Sequence, residues 1–297
     1  MALMTPRPRS QAARDGEDVL DDAPGGDELR PKALPRSSSV DLLVLLEELA
    51  SFDRVGVTRL SRHMGIPAAN AYRSLRILER TGFVEQLADT KEYRLTLKLF
   101  ELGSQVASRT TMRDVAAVEI ERLAQQAGTS VNLGVLIDDA VLYVAKVETD
   151  ELISMNIRPG SRAPATCTGM GKAMLAAESR PLASIVGEGP YVAMTPYSIT
   201  SLPELESEIA EIRRAGYAKD RQELHLGHWC VAVAIPGTRH AQNGALSIAL
   251  YGSEPDQETY DRYARMAMES AARIARRIGG LDDMQSWEFR RTTYNEL

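Results

Sequence analysis

The chain of 297 residues contains little cysteine, little histidine and no excess of basic charge. Its two cysteines cannot build a disulfide framework, which favours a protein of the reducing cytoplasm. An apolar run of about 18 residues and the apolar core of a signal peptide are both missing, so we expect neither a membrane span nor secretion. The formal net charge of −6 argues against a general polyanion binder such as a chromatin-coating protein.

The common catalytic motifs are missing as well, including G-x-G-x-x-G, the P-loop, G-x-S-x-G and H-E-x-x-H. His225, His228 and Cys230 could offer three metal ligands, but their spacing places them on no common face and no fourth ligand group accompanies them. Cys167 or Cys230 could act as a nucleophile beside a histidine, or the two thiols could form a redox switch, although buried thiols in a pocket wall fit the pattern better. We therefore expect no catalytic residue, no cofactor and no metal.

The segment 57–84 has the pattern of a helix-turn-helix. Thr58 can cap a short first helix, and Gly65 supplies the tight turn after it. Pro67 presets the first turn of the second helix, which Gly82 can end in a left-handed conformation. This arrangement is typical of proteins that place the second helix in the major groove of DNA.

The second helix has two distinct faces. The apolar residues of its inner face recur at helical spacing and are Ala71, Leu75 and Leu78. Its outer face carries an asparagine, which can bind adenine, and arginines, which can bind guanine or a phosphate. The residues predicted to contact DNA are Thr58, Arg59, Ala68, Ala69, Asn70, Tyr72, Arg73, Arg76 and Lys91.

A wing is predicted directly after this helix. One short apolar run contains Val84 and the next contains Tyr93, and the turn-forming pair Asp89-Thr90 separates them. Lys91 and Arg94 lie near the tip and on the return strand, where a winged helix meets the flanking phosphates. Upstream, Ser39 can cap an apolar helix that completes a three-helix domain. The core residues of that helix are predicted to be Leu42, Leu43, Leu45, Leu46 and Leu49.

The rest of the chain alternates between helical and strand-like patterns. Helices are predicted at 97–108, 112–127, 171–178, 202–215 and 257–278, and strands at 131–137, 140–147, 152–157, 230–236 and 245–251. This order indicates an α+β domain with an antiparallel sheet. The predicted segments are a disordered tail (1–35), a winged helix-turn-helix domain (36–97), a linker helix (98–111), an effector-binding domain (112–280) and a C-terminal tail (281–297).

Four segments, found between residues 37 and 280, resemble the IclR family of bacterial transcriptional regulators. They are I-P-A-A-N-A-Y-R-S-L-R-I-L-E-R-T-G-F-V, R-P-G-S-R-A-P-A-T-C-T-G-M-G-K-A-M-L-A, G-Y-A-K-D-R-Q-E-L-H-L-G-H-W-C-V-A-V-A-I-P and G-A-L-S-I-A-L. The resemblance implies a winged helix-turn-helix, a linker helix and a GAF-like ligand domain, in a homodimer or tetramer on a near-palindromic DNA operator. It also implies an effector pocket formed by Thr168, Gly169, Met170, Asp220, Cys230 and Ser247.

The predicted function is a ligand-responsive regulator that represses catabolic or transport genes until a small carboxylate or aromatic effector relieves it. Free amides at the helix start near Gly171 could hold a carboxylate. Met155, Met170 and Trp229 near the pocket would favour an apolar or aromatic body. The alternative is a small-molecule-binding enzyme or sensor of similar α+β fold that acts without DNA.

Overall fold

The computed structural model describes residues 38–107, 111–148, 157–236 and 243–278. The predicted tails at 1–35 and 281–297 lie outside these residues, and so does the strand predicted at 152–157, apart from Ile157.

The N-terminal unit is a three-helix domain followed by a two-stranded wing. Its elements are α1 (Ser38–Leu49), α2 (Val57–Met64), α3 (Ala68–Arg80), β1 (Val84–Gln86) and β2 (Tyr93–Leu95). The two strands pair antiparallel, with Glu85 opposite Arg94, and an isolated bridge joins Val55 to Tyr93. The buried core is formed by Leu45, Leu49, Val55, Leu60, Ala71, Leu75, Leu78, Val84 and Tyr93. The predicted inner face of α3 and the predicted wing are therefore confirmed.

Two glycines supply the backbone turns that this unit needs. Gly65 follows α2 with φ 64°, and Gly82 follows α3 with φ 79°. The Gly82 amide donates to the Glu79 carbonyl and the Phe83 amide donates to the Leu78 carbonyl, which is the double bond of a Schellman motif. A side chain with a Cβ would be strained at either glycine, since both occupy the left-handed region.

Four local predictions in this unit differ from the structure. Helix α2 starts at Val57 after Gly56, with no side-chain cap, so Thr58 lies inside the first turn instead of capping it. Pro67 is the residue before α3, and its carbonyl accepts the first amide bonds of the helix. The described part of α1 already begins at Ser38, so Ser39 does not precede that helix. Leu43 is 63 % exposed and does not belong to the core, because it faces away from α2 and α3.

Two helices lead into the C-terminal unit, α4 (Lys98–Ala107) and α5 (Thr111–Ala127). The remaining elements are β3 (Val131–Ile137), β4 (Ala140–Val147), β5 (Arg162–Pro164), α6 (Gly169–Ala177), α7 (Ala183–Val186), α8 (Leu202–Ala215), β6 (Ala218–Arg221), β7 (His228–Ile235), β8 (Gly244–Tyr251) and α9 (Gln257–Arg277). The six strands β3 to β8 form an antiparallel sheet in the order β5-β4-β3-β8-β7-β6. The α+β architecture with an antiparallel sheet is confirmed.

Helices cover both faces of this sheet. On one face, α6 and α8 pack in a core that includes Cys230, Ala232 and Ala245, and the predicted inner residues of α8 are all buried there. On the other face, α5 and α9 pack against Val231, Val233 and their neighbours. Successive side chains of a strand point to opposite faces, so β7 and β8 each divide their residues between the two cores. We call the side covered by α6 and α8 the α6 face.

Three short elements were not predicted from the sequence. Strands β5 and β6 have three and four residues, and they carry arginine, lysine and aspartate instead of an apolar alternation. Pairing with β4 and β7 gives them their extended form. Helix α7 has only four residues. Helix α6 begins at Gly169, two residues before the predicted start at 171, because all nine of its residues are buried and no amphipathic pattern marks its first turn.

Candidate DNA-reading helix and effector site

The outer face of α3 is open to solvent in its first half. Ala68, Ala69, Asn70 and Arg73 are exposed there, and Tyr72 is also half exposed. Asn70 and Arg73 lie one turn apart, so their side chains point in similar directions. The exposed surface therefore combines an amide that can bind adenine with a guanidinium that can bind guanine or phosphate.

Other predicted DNA contacts are partly engaged within the protein. The Arg76 guanidinium lies 2.5 Å from the Glu79 carboxylate on the same helix. Arg59 is exposed on α2, and its guanidinium lies over the Phe52 ring at 5.2 Å. Thr58 is exposed beside it. Arg76 would have to leave Glu79 to bind DNA, which makes it a weaker candidate than Arg73.

The wing presents one free basic side chain near its tip. Lys91 is exposed and has φ 59°, and its carbonyl accepts a hydrogen bond from Gln86 Nε2 across the turn. Arg94 on the return strand is bonded to the Glu85 carboxylate at 2.7 Å. Lys91 is thus placed to meet a phosphate, whereas the charge of Arg94 is balanced within the wing.

The predicted effector residues begin at the N-terminus of α6. Thr168 is the residue before the helix, and its hydroxyl accepts the Gly171 amide at 3.1 Å and donates to the Pro164 carbonyl. The prediction of a free amide at Gly171 is therefore wrong. The amides of Gly169 and Met170 belong to the first turn, whose N–H groups have no partner further back in the same helix.

Gly169 brings the start of α6 directly onto the sheet. A Cβ at this position would lie 2.6 Å from Cys230 Sγ and 3.3 Å from the Ala232 Cβ. Met170 is buried, and its Cε lies 3.3 Å from where a Cβ on Gly134 of β3 would stand. The close approach explains why glycine occupies position 169, since any side chain would push α6 away from β7.

The strand register brings the remaining predicted residues to the α6 face. Asp220 on β6 is opposite Cys230 on β7, which is opposite Ala249 on β8. Ser247 on β8 is opposite both Ala232 and Asn132. Directly opposed residues in an antiparallel pair point to the same side. All six predicted effector residues therefore lie on the α6 face or at the N-terminus of the helix that covers it.

Four buried polar atoms near these residues have no hydrogen-bond partner. They are Ser130 Oγ, Asn132 Oδ1, Glu223 Oε2 and His228 Nδ1. Ser130 is opposite Ala249, whose amide donates to its carbonyl, and Asn132 donates to Ser247 Oγ at 3.4 Å. His228 Nδ1 lies 3.5 Å from Asp220 Oδ2. Ser130, Asn132 and Glu223 were not predicted as site residues from the sequence. Asn132 could have been, because a polar residue between the apolar Val131 and Leu133 is unusual in a buried strand.

A buried ion-pair cluster supports one side of the site. Lys172 of α6 is fully buried, and its Nζ lies 2.5 Å from Glu223 Oε1 and 3.0 Å from Glu208 Oε1. Burial lowers the pKa of Lys172, but the two carboxylates outweigh it and the net shift is upward. Burial also raises the pKa of Glu223, against the opposing effect of Lys172. Asp220 joins the cluster because its Oδ1 accepts the Glu223 amide at 2.7 Å.

The two cysteines are wall residues of this region. Both are buried and free, so no disulfide joins them. Burial raises the pKa of Cys167 to about 12, and burial together with Asp220 raises that of Cys230 well above its ordinary value. Such thiols are not ionised at neutral pH and make poor nucleophiles. Tyr143 is also buried here, and burial followed by the nearby Cys230 and Asp220 raises its pKa.

Two residues that were predicted near the pocket do not support that prediction. Trp229 does not line the pocket, because it packs in the core on the opposite face with α5 and α9. Met155 lies outside the described residues. Among the described parts of the chain, no group of three or more His, Cys, Asp or Glu side chains is arranged to hold a metal ion.

Comparison with known proteins identifies the class. The sequence profile described as "Bacterial transcriptional regulator IclR C-terminal" matches residues 104–276, and the profile "IclR helix-turn-helix domain" matches residues 40–88. The fold and these two matches define a ligand-responsive, DNA-binding transcriptional regulator. The chain belongs to the IclR family. Because that family consists of regulators, the alternative of an enzyme is set aside.

The relatives and neighbours agree with this assignment. The HTH-type transcriptional regulator KdgR of Escherichia coli is 28 % identical over 244 residues, covering 82 % of this chain and 93 % of the relative. The acetate operon repressor of Salmonella typhimurium is 27 % identical over 242 residues, covering 80 % and 88 %. The crystal structure of Thermotoga maritima IclR has a TM-score of 0.65 at 28 % identity, covering 82 % of this chain and 98 % of that one.

One structural neighbour carries a ligand. It is an IclR homologue from Microbacterium hydrocarbonoxydans complexed with 4-hydroxybenzoate, with a TM-score of 0.69 at 23 % identity, covering 82 % of this chain and 99 % of that one. At this identity the likeness concerns the fold alone. Across the described helices of the present chain, none combines the length and apolarity that crossing a bilayer requires.

Proposed function

We propose that this regulator is a cytoplasmic repressor of catabolic or transport genes, and that a small carboxylate or aromatic effector bound on the α6 face changes its affinity for DNA. The observation that carries the proposal is the set of unpartnered polar atoms of Ser130, Asn132, Glu223 and His228. Buried polar groups in folded proteins are nearly always hydrogen-bonded, and an exception calls for a ligand or water that completes it. Repression is in keeping with the name of the Salmonella relative.

The DNA-binding part of the proposal assigns base reading to α3. Asn70 and Arg73 are exposed in its N-terminal half, which a helix-turn-helix directs at base edges in the major groove. Lys91 at the wing would contact a phosphate and so set position without sequence preference. Thr58, Arg59, Ala68, Ala69, Tyr72 and Arg76 remain predicted contacts around these three.

The oligomeric part rests on apolar side chains after the wing. Leu97 is 82 % exposed and Phe100 on α4 is 74 % exposed, and exposed apolar side chains that are grouped in this way mark an interaction surface. A second copy of the chain would cover them and place two reading helices on the half-sites of a near-palindromic operator. We propose a homodimer as the binding unit, with a tetramer as a pair of such dimers.

In the proposed function, the effector binds at the first turn of α6 and against the buried residues around it. The amides of Gly169 and Met170 can hold a carboxylate, because helix N-termini favour anions. Met170, Tyr143 and Val141 offer apolar surface on the same side of the sheet. The neighbour that binds 4-hydroxybenzoate, an aromatic carboxylate, is a precedent for this fold. Effector binding would favour one of two arrangements of the chain and thereby change its DNA affinity.

Operator titrations test the DNA-binding proposal. A footprint on the DNA upstream of its own gene first locates the operator, and binding is then measured for single-base variants of it. Arg73→Ala should cost ~1–3 kcal/mol and relax the preference at one base pair, whereas Lys91→Ala should weaken all sequences alike and flatten the salt dependence. Arg214→Ala, at an exposed arginine of α8, is the matched control and should change neither. An equal loss on every sequence for Arg73→Ala would refute base reading by α3.

A further inference from the structure

The end of the reading helix α3 is held by the residues that begin α4. Lys98 Nζ donates a hydrogen bond to the Thr81 carbonyl at 2.6 Å. The Thr96 hydroxyl donates to the Gly82 carbonyl at 2.5 Å, and the Thr96 amide donates to the Phe83 carbonyl at 3.0 Å. The last carbonyls of a helix have no partner within it and need donors from elsewhere. We call these three hydrogen bonds from Thr96 and Lys98 the α3–α4 clamp.

Both clamp residues contact the end of α3 and the start of α4 together. The Thr96 hydroxyl also accepts the Lys98 amide at 3.3 Å, so this side chain bridges the two helices. The Lys98 ammonium lies 5.0 Å from the centre of the Phe83 ring, and its Cδ lies 3.7 Å from where a Cβ on Gly82 would stand. A positive charge is favoured both at a helix C-terminus and over an aromatic ring. The charge of Lys98 is therefore engaged at the joint between α3 and α4.

The apolar residues of the proposed dimer surface lie beside the clamp. Leu97 immediately precedes Lys98 and is 82 % exposed, and Phe100 follows on the same helical turn and is 74 % exposed. A second copy of the chain that covers Leu97 and Phe100 would set the direction of α4 within one turn of the clamp. Through the clamp, this direction also sets where the N-terminal half of α3 points.

We infer that Thr96 and Lys98 are positioning residues, which fix the angle between α3 and α4 and thereby the distance between half-sites that a dimer accepts. The inference rests on the proposed function, in which a homodimer formed through Leu97 and Phe100 binds two half-sites. In such dimers the accepted spacing follows from how the protein holds its two reading helices. Neither clamp residue has to contact DNA for this role.

A small change in the angle is enough to alter the accepted spacing. Asn70 precedes Thr81 by ~16 Å along α3, at ~1.5 Å per residue. One inserted base pair moves a half-site by ~3.4 Å and turns it by ~35° about the DNA axis. Divided between the two subunits, this is ~1.7 Å and ~17° for each reading helix. A shift of ~1.7 Å at ~16 Å from the clamp is a tilt of ~6°, so a joint that is loose by ~10–20° would tolerate the extra base pair.

Operators with altered spacing test the clamp. The footprinted operator is compared with versions that have one base pair inserted or removed between the half-sites, and Kd is measured for the full-length protein on each. The wild-type protein should bind the altered operators at least about tenfold more weakly, as expected when a base contact is misplaced. Lys98→Met and Thr96→Val, alone and together, should reduce this penalty to about threefold or less.

The same variants should remain folded. Lys98 is exposed and Thr96 is partly exposed, so their hydrogen bonds exchange with bonds to water and contribute little net stability. Circular dichroism checks the fold of each variant, and the single variants decide the outcome if the double variant does not fold. Binding to DNA with a single half-site should equal that of the wild-type protein, because one reading helix has no spacing to satisfy.

Two control variants separate positioning from a simple loss of charge. Arg80→Met removes an exposed positive charge next to Thr81 and should keep the wild-type spacing penalty. Lys98→Arg retains a charged donor and should keep the penalty as well. An unchanged penalty in Lys98→Met and Thr96→Val would overturn the inference, and so would an equal weakening on every operator, which loss of a phosphate contact would give. A loss of binding to the single half-site would also overturn it, because the clamp would then only stabilise α3.

The wild-type protein separates this inference from the proposed function. If it binds the operator but accepts every spacing equally, both the clamp and the dimeric part of the proposed function are refuted. If it requires one spacing and the clamp variants require it just as strictly, only the clamp is refuted and the proposed function stands.

Discussion

Replacing the buried lysine of α6 tests whether the ion-pair cluster holds the effector side of the domain together. Lys172 is fully buried, with Glu223 at 2.5 Å and Glu208 at 3.0 Å from its Nζ. Lys172→Met keeps an unbranched side chain that is shorter by one heavy atom and removes its charge, so Glu223 is left buried without a counter-charge. Removing one partner of a buried pair costs ~3–5 kcal/mol. For a domain of this size, that corresponds to a fall in Tm of about 6–20 °C.

Thermal and urea unfolding followed by circular dichroism would measure this loss. Lys172→Met with Glu223→Gln should recover part of it, because the orphaned carboxylate is then removed as well. Lys219→Met is the same-domain control. Lys219 is partly exposed, donates to Gln257 and lies over the Tyr260 ring at 4.2 Å, so its loss should cost about 1 kcal/mol. A loss for Lys172→Met no larger than that of the control would refute the role assigned to the cluster.

The pH dependence of this variant has a definite sign. Burial raises the folded-state pKa of Glu223 above its ordinary value of 4.5, and Lys172 opposes the rise. Without Lys172 the rise should be larger. A carboxyl group with a raised folded pKa contributes its stability below the unfolded pKa and loses it as the pH climbs through the folded pKa. The deficit of Lys172→Met should therefore be greatest at neutral pH and shrink as the pH falls toward 4.5. A deficit that does not change with pH would contradict this explanation.

Two further substitutions probe the contact of α6 with the sheet and the proposed dimer surface. Gly169→Ala would place a Cβ 2.6 Å from Cys230 Sγ, so it should cost ~1–3 kcal/mol in unfolding experiments, and an unchanged Tm would show that α6 can move away freely. Phe100→Glu should shift the protein toward a monomer in sedimentation equilibrium and weaken operator binding, whereas Leu226→Glu, at an apolar residue that is 65 % exposed elsewhere, should leave the mass unchanged. A dimer that survives Phe100→Glu would place the interface on another surface.

The elements that could be predicted from the sequence are those with a clear amphipathic period. The predicted bounds of α8 agree with the observed helix, and α9 differs from its prediction by one residue, because each buries one stripe and exposes the rest. Helix α6 has no such stripe, since all nine of its residues are buried. Strands β5 and β6 are extended because they pair with β4 and β7, and that pairing leaves no apolar alternation in their own short sequences.

The effector site was only partly predictable for a related reason. Its six predicted residues came from the family resemblance, and the register brings them to the α6 face or to the helix start beside it. Asn132, Ser130 and Glu223 were missed because their position depends on strand pairing and on a bend after β6. A register shift of one residue would have turned Asn132 to the opposite core. The register of β3 against β8 therefore decides which of its polar residues can meet an effector.

The two faces of the sheet differ in a way that simple packing does not explain. The core beneath α5 and α9 includes only one unpartnered buried polar atom among the described residues, Tyr260 OH, and Lys219 lies over that ring. On the α6 side there are four such atoms, contributed by separate stretches of the chain. Each buried polar group without a hydrogen-bond partner lowers the stability of the fold. If selection acted on stability alone, we would expect apolar side chains of similar shape at these positions. Their concentration on one face, beside the helix start that can bind an anion, is what a binding site requires and what a structural core avoids.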